Sequence, residues 1–102
     1  MIAKIIIKRK FLKGNENEVF SLLTKMRSGA MNQPEYISGE TLVKHDQPQH
    51  LTVICSWQSM QAWHAWKHDP ERLKSEHMLE VFQEEPTEYE EYYLGIRLEP
   101  KT

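Results

Sequence analysis

Apolar positions along the chain switch between a strand period and a helix period. Residues 2–11 carry β-branched Ile2, Ile5, Ile6 and Ile7, bracketed by Lys4, Lys8, Arg9 and Lys10, which predicts a strand. Lys13-Gly14-Asn15 breaks it; Asn15 reads as a helix cap, and Glu18 three residues on completes a capping-box pattern. Val19, Leu22, Leu23, Met26 and Ala30 then form one helical stripe, closed by Ser28-Gly29 and Asn32-Gln33-Pro34. Tyr36 to His45 reads as a second strand with a bulge or bend at Gly39, 46–49 as a turn, and His50 to Trp57 as a third strand, the last two forming a hairpin. Ser59 caps a short helix with Met60, Ala62, Trp63, Ala65 and Trp66. Asp69-Pro70 begins another, holding Leu73, Met78, Leu79 and Phe82 and stopped by Glu84-Glu85-Pro86. Thr87 to Leu98 reads as a last strand with Tyr92, Leu94, Ile96 and Leu98 on one face.

The order β-α-β-β-α-α-β is that of an α+β, ferredoxin-like split βαβ domain, a four-stranded antiparallel sheet with helices on one face. Residues 1–102 suit one such domain. Ile5-Ile6-Ile7 and Val53-Ile54-Cys55 do not alternate, as though these strands were buried on both faces. Helices cover one face, so a second copy of the chain is expected on the other, giving a homodimer packed sheet to sheet.

Composition narrows the class. Thirteen basic against 15 acidic residues, net −2, do not favour nucleic acid or an anionic membrane. A single cysteine, Cys55, excludes an internal disulfide and a cysteine-cluster metal site. The three-residue apolar run near the N-terminus is too short for a signal segment, and no stretch approaches the ~20 apolar residues of a membrane span. A cytoplasmic protein is the expectation. Charge is unevenly placed: residues 1–13 hold five basic residues and no acid, whereas 76–91 hold seven glutamates and no Lys or Arg. First and last strands would be antiparallel neighbours, putting Lys8, Arg9 and Lys10 near Glu88, Glu90 and Glu91 as cross-strand pairs. The other reading of the run is an anion site at Arg9.

The segments Tyr36-Ile37-Ser38-Gly39-Glu40-Thr41-Leu42 and Leu51-Thr52-Val53-Ile54-Cys55-Ser56-Trp57, followed by Ser59, Trp63, Trp66, Asp69-Pro70-Glu71-Arg72 and Glu85-Pro86-Thr87-Glu88-Tyr89, resemble the antibiotic biosynthesis monooxygenase-like family of the dimeric α+β barrel superfamily. The resemblance covers nearly the whole chain. It implies a domain that dimerises through its sheets. It also implies a monooxygenase that oxidises a quinol, anthrone or polyphenol with O₂ in a pocket between sheet and helices, without cofactor. Two other readings stay open: a haem-binding or haem-degrading monooxygenase, and a non-catalytic dimeric module binding a small apolar ligand. The haem branch of the superfamily uses an Asn on the first strand, a Trp on the second helix and a His on the third. Ile7 stands at the Asn position, Trp66 matches the Trp, and His77 is offset by one residue.

Trp66 matches the position that borders the ligand in the resembling enzymes, and core packing with Trp63 at i, i+3 accounts for both rings equally well. His77 is a candidate base for a phenol, or an axial haem ligand, against a surface role beside Glu76 and Glu80. Arg72 opposes the dipole of its helix and so calls for a partner, whether a carboxylate or a ligand. Tyr36 offers a hydroxyl to a pocket; of Tyr92 and Tyr93, at most one can face it. His64 and His68 have metal-compatible i, i+4 spacing but no obvious third ligand, so no metal is expected.

Overall fold

The computed structural model describes residues 1–100. Elements follow the order β1 (Ala3–Lys10), α1 (Glu16–Met31), β2 (Tyr36–Lys44), β3 (Gln47–Trp57), α2 (Met60–Lys67), α3 (Pro70–Glu80) and β4 (Glu88–Tyr93). The strands form one antiparallel sheet in the order β2-β3-β1-β4, the ferredoxin-like arrangement. The predicted bend in β2 is a register shift between Tyr36 and Ser38. No helix among the described residues is long and apolar enough to cross a membrane.

Local chemistry sets the boundaries. The Ser59 hydroxyl accepts from Ala62 N at 3.0 Å and so starts α2. Asp69 accepts from Glu71 N at 2.9 Å, and Pro70 takes the first position of α3. The capping box at α1 does not form. Asn15 has ψ 33°, outside the extended backbone a capping side chain needs, and makes no side-chain cap bond. Glu16 turns back instead and accepts from Gly14 N at 3.1 Å, where Gly14 has a positive φ of 103°.

β1 and β3 each carry apolar side chains on both faces: Ile5, Ile7, Val53 and Cys55 toward the helices, Ile6 and Ile54 on the open face. In β1, Ala3, Ile5, Ile7 and Arg9 are buried, and Lys4, Ile6, Lys8 and Lys10 turn the other way. Ile6 and Ile54 are register partners on that open face, flanked by charged and hydroxyl side chains. β4 stops at Tyr93 rather than Leu98, because Gly95, with φ 115°, turns the chain out of register. Leu94, Ile96 and Leu98 are exposed, and the inward positions of β4 are Tyr89 and Glu91, the opposite parity from that expected. Likewise α3 ends at Glu80: Leu79 is fully buried, Met78 is exposed, and Phe82 packs on the core from beyond the helix.

The core has two parts. Ala3, Ile5, Ile7, Cys55, Trp57, Trp63 and Trp66 form the aromatic one; Phe11, Val19 and Leu79, with Leu22, Leu23 and Phe82 against them, form the other.

Candidate active site

Between α1 and the helix-covered face of the sheet lies a cavity of about 320 Å³, near the lower end of the range for small-molecule sites. Its walls are mainly apolar: Ile7 and Val53 on the sheet, Leu23, Met26 and Ala30 on α1, and Trp57, Trp63 and Trp66 at the aromatic end. A groove of about 430 Å³ at the Lys10 end of the sheet is larger, shares Arg9 with this cavity and is lined mostly by charged and polar side chains.

The aromatic end is built by stacking and by missing side chains. Tyr36 meets Trp57 edge-on with centroids 5.3 Å apart; Trp63 lies 6.1 Å from Trp57 and 6.0 Å from Tyr89. A Cβ on Gly29 of α1 would stand 2.5 Å from Trp66 Cη2, so glycine there is what lets the helix lie against the ring. Gly39 does the same for the Tyr36 hydroxyl.

A buried ionic cluster lies at the edge of the cavity. Arg9 and Arg72 line the cavity; Glu76 sits behind them, outside the lining. Arg9 Nη2 donates to Glu76 Oε1 at 2.5 Å, Arg72 Nη2 is 3.5 Å from the same oxygen, and Thr87 Oγ1 donates to Glu76 Oε2 at 2.5 Å. Arg72 also donates to Lys67 O at 3.2 Å and to the Tyr89 hydroxyl at 2.8 Å. Burial alone would push the Glu76 carboxyl up, but Arg9, Thr87 and Arg72 outweigh it and hold it below the usual range. Burial pushes the Tyr89 and Tyr36 hydroxyls and the Cys55 thiol up, so all three stay protonated near neutrality. Among the described residues two buried side-chain donors have no hydrogen-bond partner, Arg9 Nε and Trp57 Nε1, both on residues that line the cavity.

Of the residues singled out from the sequence, Trp66, Trp63, Tyr36 and Arg72 come together here. The partner Arg72 called for is Glu76, with Tyr89. His77 does not join them: it is exposed on α3, whereas the buried positions of that helix are Arg72, Ser75, Glu76 and Leu79. The roles given to His77, base or axial ligand, therefore have no geometric support. No histidine lines the cavity, and its sulfur donors are Met26 and a Cys55 held as the thiol, so these residues do not fit an axially ligated haem. His64 is taken up by Glu91 at 3.0 Å and His68 by the His64 carbonyl at 2.9 Å. Among the described residues no three His, Cys, Asp or Glu side chains cluster as metal ligands.

The sequence offers Arg9 as an anion site but does not single out Trp57 or Cys55 as lining residues. Arg9 shares the parity of Ile5 and Ile7, and that parity was the available signal. The expected cross-strand pairing holds only for its neighbours in altered form: Lys8 pairs with Glu90 at 2.8 Å and Lys10 with Glu85 at 3.0 Å, while Arg9 turns inward to Glu76.

Comparison with known proteins agrees with this architecture. The family model described as antibiotic biosynthesis monooxygenase matches residues 2–83, well over half of the chain, and the chain belongs to that family. Among solved structures, a conserved protein from Methanosarcina mazei Go1 superposes with a TM-score of 0.84 at 13% identity, over 90% of this chain and 91% of that one. A variant of SnoaB, a cofactor-independent oxygenase from Streptomyces nogalater, superposes at 0.81 with 15% identity, over 95% and 96%. Rv0793 from Mycobacterium tuberculosis superposes at 0.83 with 12% identity, over 97% and 100%. At such identities the likeness is one of fold. No curated protein matches the sequence.

Proposed function

We propose that this chain is a cofactor-independent monooxygenase that oxidises a quinol, anthrone or polyphenol with O₂ in the cavity between α1 and the sheet. The observation that carries the reading is the aromatic cavity itself, where Trp66, Trp63, Tyr36 and Arg72 meet in a member of the antibiotic biosynthesis monooxygenase family. The SnoaB neighbour, whose fold this chain shares, supports it.

For an anthrone the reaction balances without any added reductant. A ring CH₂ becomes C=O with one oxygen atom of O₂, the other leaves as water, and all four electrons come from the substrate. The protein has three tasks. Trp57, Trp63 and Trp66 hold the planar rings and exclude water. Tyr36 donates a hydrogen bond to a substrate oxygen. The electropositive wall at Arg9 and Arg72 lowers the cost of ionising the substrate, whose proton passes to water. His77 has no part in this scheme.

A second copy of the chain is proposed to cover the open face of the sheet, where Ile6 and Ile54 are half-buried and Leu42 and Tyr92 exposed. Light scattering at micromolar concentration is expected to give the dimer mass; a monomer contradicts it. One free, buried thiol suits the reducing cytoplasm, where we place the protein.

The test is oxygen uptake with a panel of anthrones and hydroquinones under chelator. Uptake above the uncatalysed rate, abolished or strongly reduced in Trp66→Phe, is the expected result. Uptake at the uncatalysed rate throughout, with the same compounds nevertheless bound, would instead make the chain a non-catalytic binding module.

A further inference from the structure

The charged residues buried among the described ones are Arg9, Arg72 and Glu76, at 4%, 3% and 5% exposure. Two cations face one anion, so the cluster holds one uncompensated positive charge. A buried charge without a partner is costly, and no other carboxylate reaches this one: Glu91 is engaged by Trp63 and His64, and Lys67 lies 4.0 Å from it. The excess is also directed. Both arginines line the cavity and Glu76 does not. Both Glu76 oxygens are occupied, one by the arginines and the other by Thr87, whereas Arg9 Nε–H is buried without a partner. The Trp57 indole N–H also lacks a partner, and the Tyr36 hydroxyl and Cys55 thiol in the lining stay protonated.

We propose that the cavity selects an anionic aromatic ligand, a planar apolar body carrying one carboxylate or phenolate group, whose oxygen faces the Arg9 guanidinium and supplies the charge the cluster lacks. This rests on the reading of the cavity as the ligand site. It goes further in naming the charge state of the bound molecule and giving Arg9 its recognition. The body fits among Trp57, Trp63 and Trp66. An Arg is suited to this task because its guanidinium can hold Glu76 through one edge and present another N–H to a ligand, which a lysine ammonium cannot do in the same planar geometry.

The experiment is calorimetric titration of the whole chain with three probes of one shape: 2-naphthoate, its neutral amide 2-naphthamide, and 2-naphthol. The expected result is naphthoate at least tenfold tighter than naphthamide, with Arg9→Lys removing most of that preference and leaving the amide within about twofold. Naphthol binding that strengthens as pH rises, with the phenolate absorbance appearing on binding, assigns the preference to phenolates as well; neutral naphthol bound without it confines the preference to carboxylates. Naphthamide binding as tightly as naphthoate overturns the charge selection while leaving the cavity a ligand site. Failure of all three probes overturns the cavity reading and this proposal with it. Should Arg9→Lys not fold, the naphthoate-to-naphthamide ratio in the unaltered protein decides alone.

Discussion

Lys8 and Arg9 are consecutive residues of β1, and they serve the two faces of the sheet differently. Lys8 points to the open face and pairs with Glu90 at 2.8 Å, with the two side chains 46% and 36% exposed. Arg9 points inward and pairs with Glu76 at 4% and 6%. The first pair is bathed in solvent, so its Coulomb gain is screened and offset by the entropy of two long side chains. The second has lost its water and depends on its partners. The same charge type, one residue apart, is surface decoration on one face and part of a binding wall on the other.

The comparison is broken most severely at Glu76. Glu76→Gln leaves two buried arginines without a counter-charge and is expected to lower stability by about 3–5 kcal/mol in urea titration. The pH dependence follows from the same contacts. The folded-state pKa of Glu76 lies below its unfolded 4.5, so its contribution is fully present above 4.5 and is lost as pH falls through the lower folded value. Acid unfolding of Glu76→Gln is therefore expected to be the less steep. A profile with the wild-type slope would show that another carboxylate carries the acid sensitivity.

Gly29→Ala comes next. Its methyl would drive Trp66 into the cavity, with about 1–3 kcal/mol lost to overpacking and aromatic ligands excluded. Unchanged ligand affinity would place the site elsewhere. Trp66→Phe keeps an aromatic ring, and is expected to lower stability by about 1 kcal/mol while reducing kcat/KM at least tenfold. Stability and turnover lost in equal measure would make Trp66 a packing residue. At the small end, Glu90→Gln breaks the exposed pair and is expected to leave the unfolding midpoint where it was.

Much of the scaffold is legible in the residues because its signals are local. Ser59 and Asp69-Pro70 announce helix starts, the Val19-to-Ala30 stripe announces α1, and the element order alone implies the split βαβ sheet. Local signals fail where the partner is distant in sequence. Arg9 meets Glu76 across 67 residues, and nothing in the run Lys8-Arg9-Lys10 marks the middle cation as the buried one except its parity with Ile5 and Ile7. Parity also misled at β4, because Leu94, Ile96 and Leu98 keep a strand's alternation beyond the turn at Gly95. For the site, Trp66, Trp63, Tyr36 and Arg72 were within reach of motif and spacing. His77 was not separable from its neighbour Glu76 without the helix's orientation, and one step along α3 moves a side chain about 100° around the axis.

The central claim is that the helix-covered face, and not the open one, holds the ligand. A crystal structure of the protein soaked with anthraquinone, the flat product of anthrone oxidation, tests it directly. The account predicts the ring system between α1 and the sheet, against Trp57, Trp63 and Trp66, with an oxygen facing the Arg9 guanidinium. Anthraquinone on the open face beside Ile6 and Ile54, with the cavity empty, would contradict it.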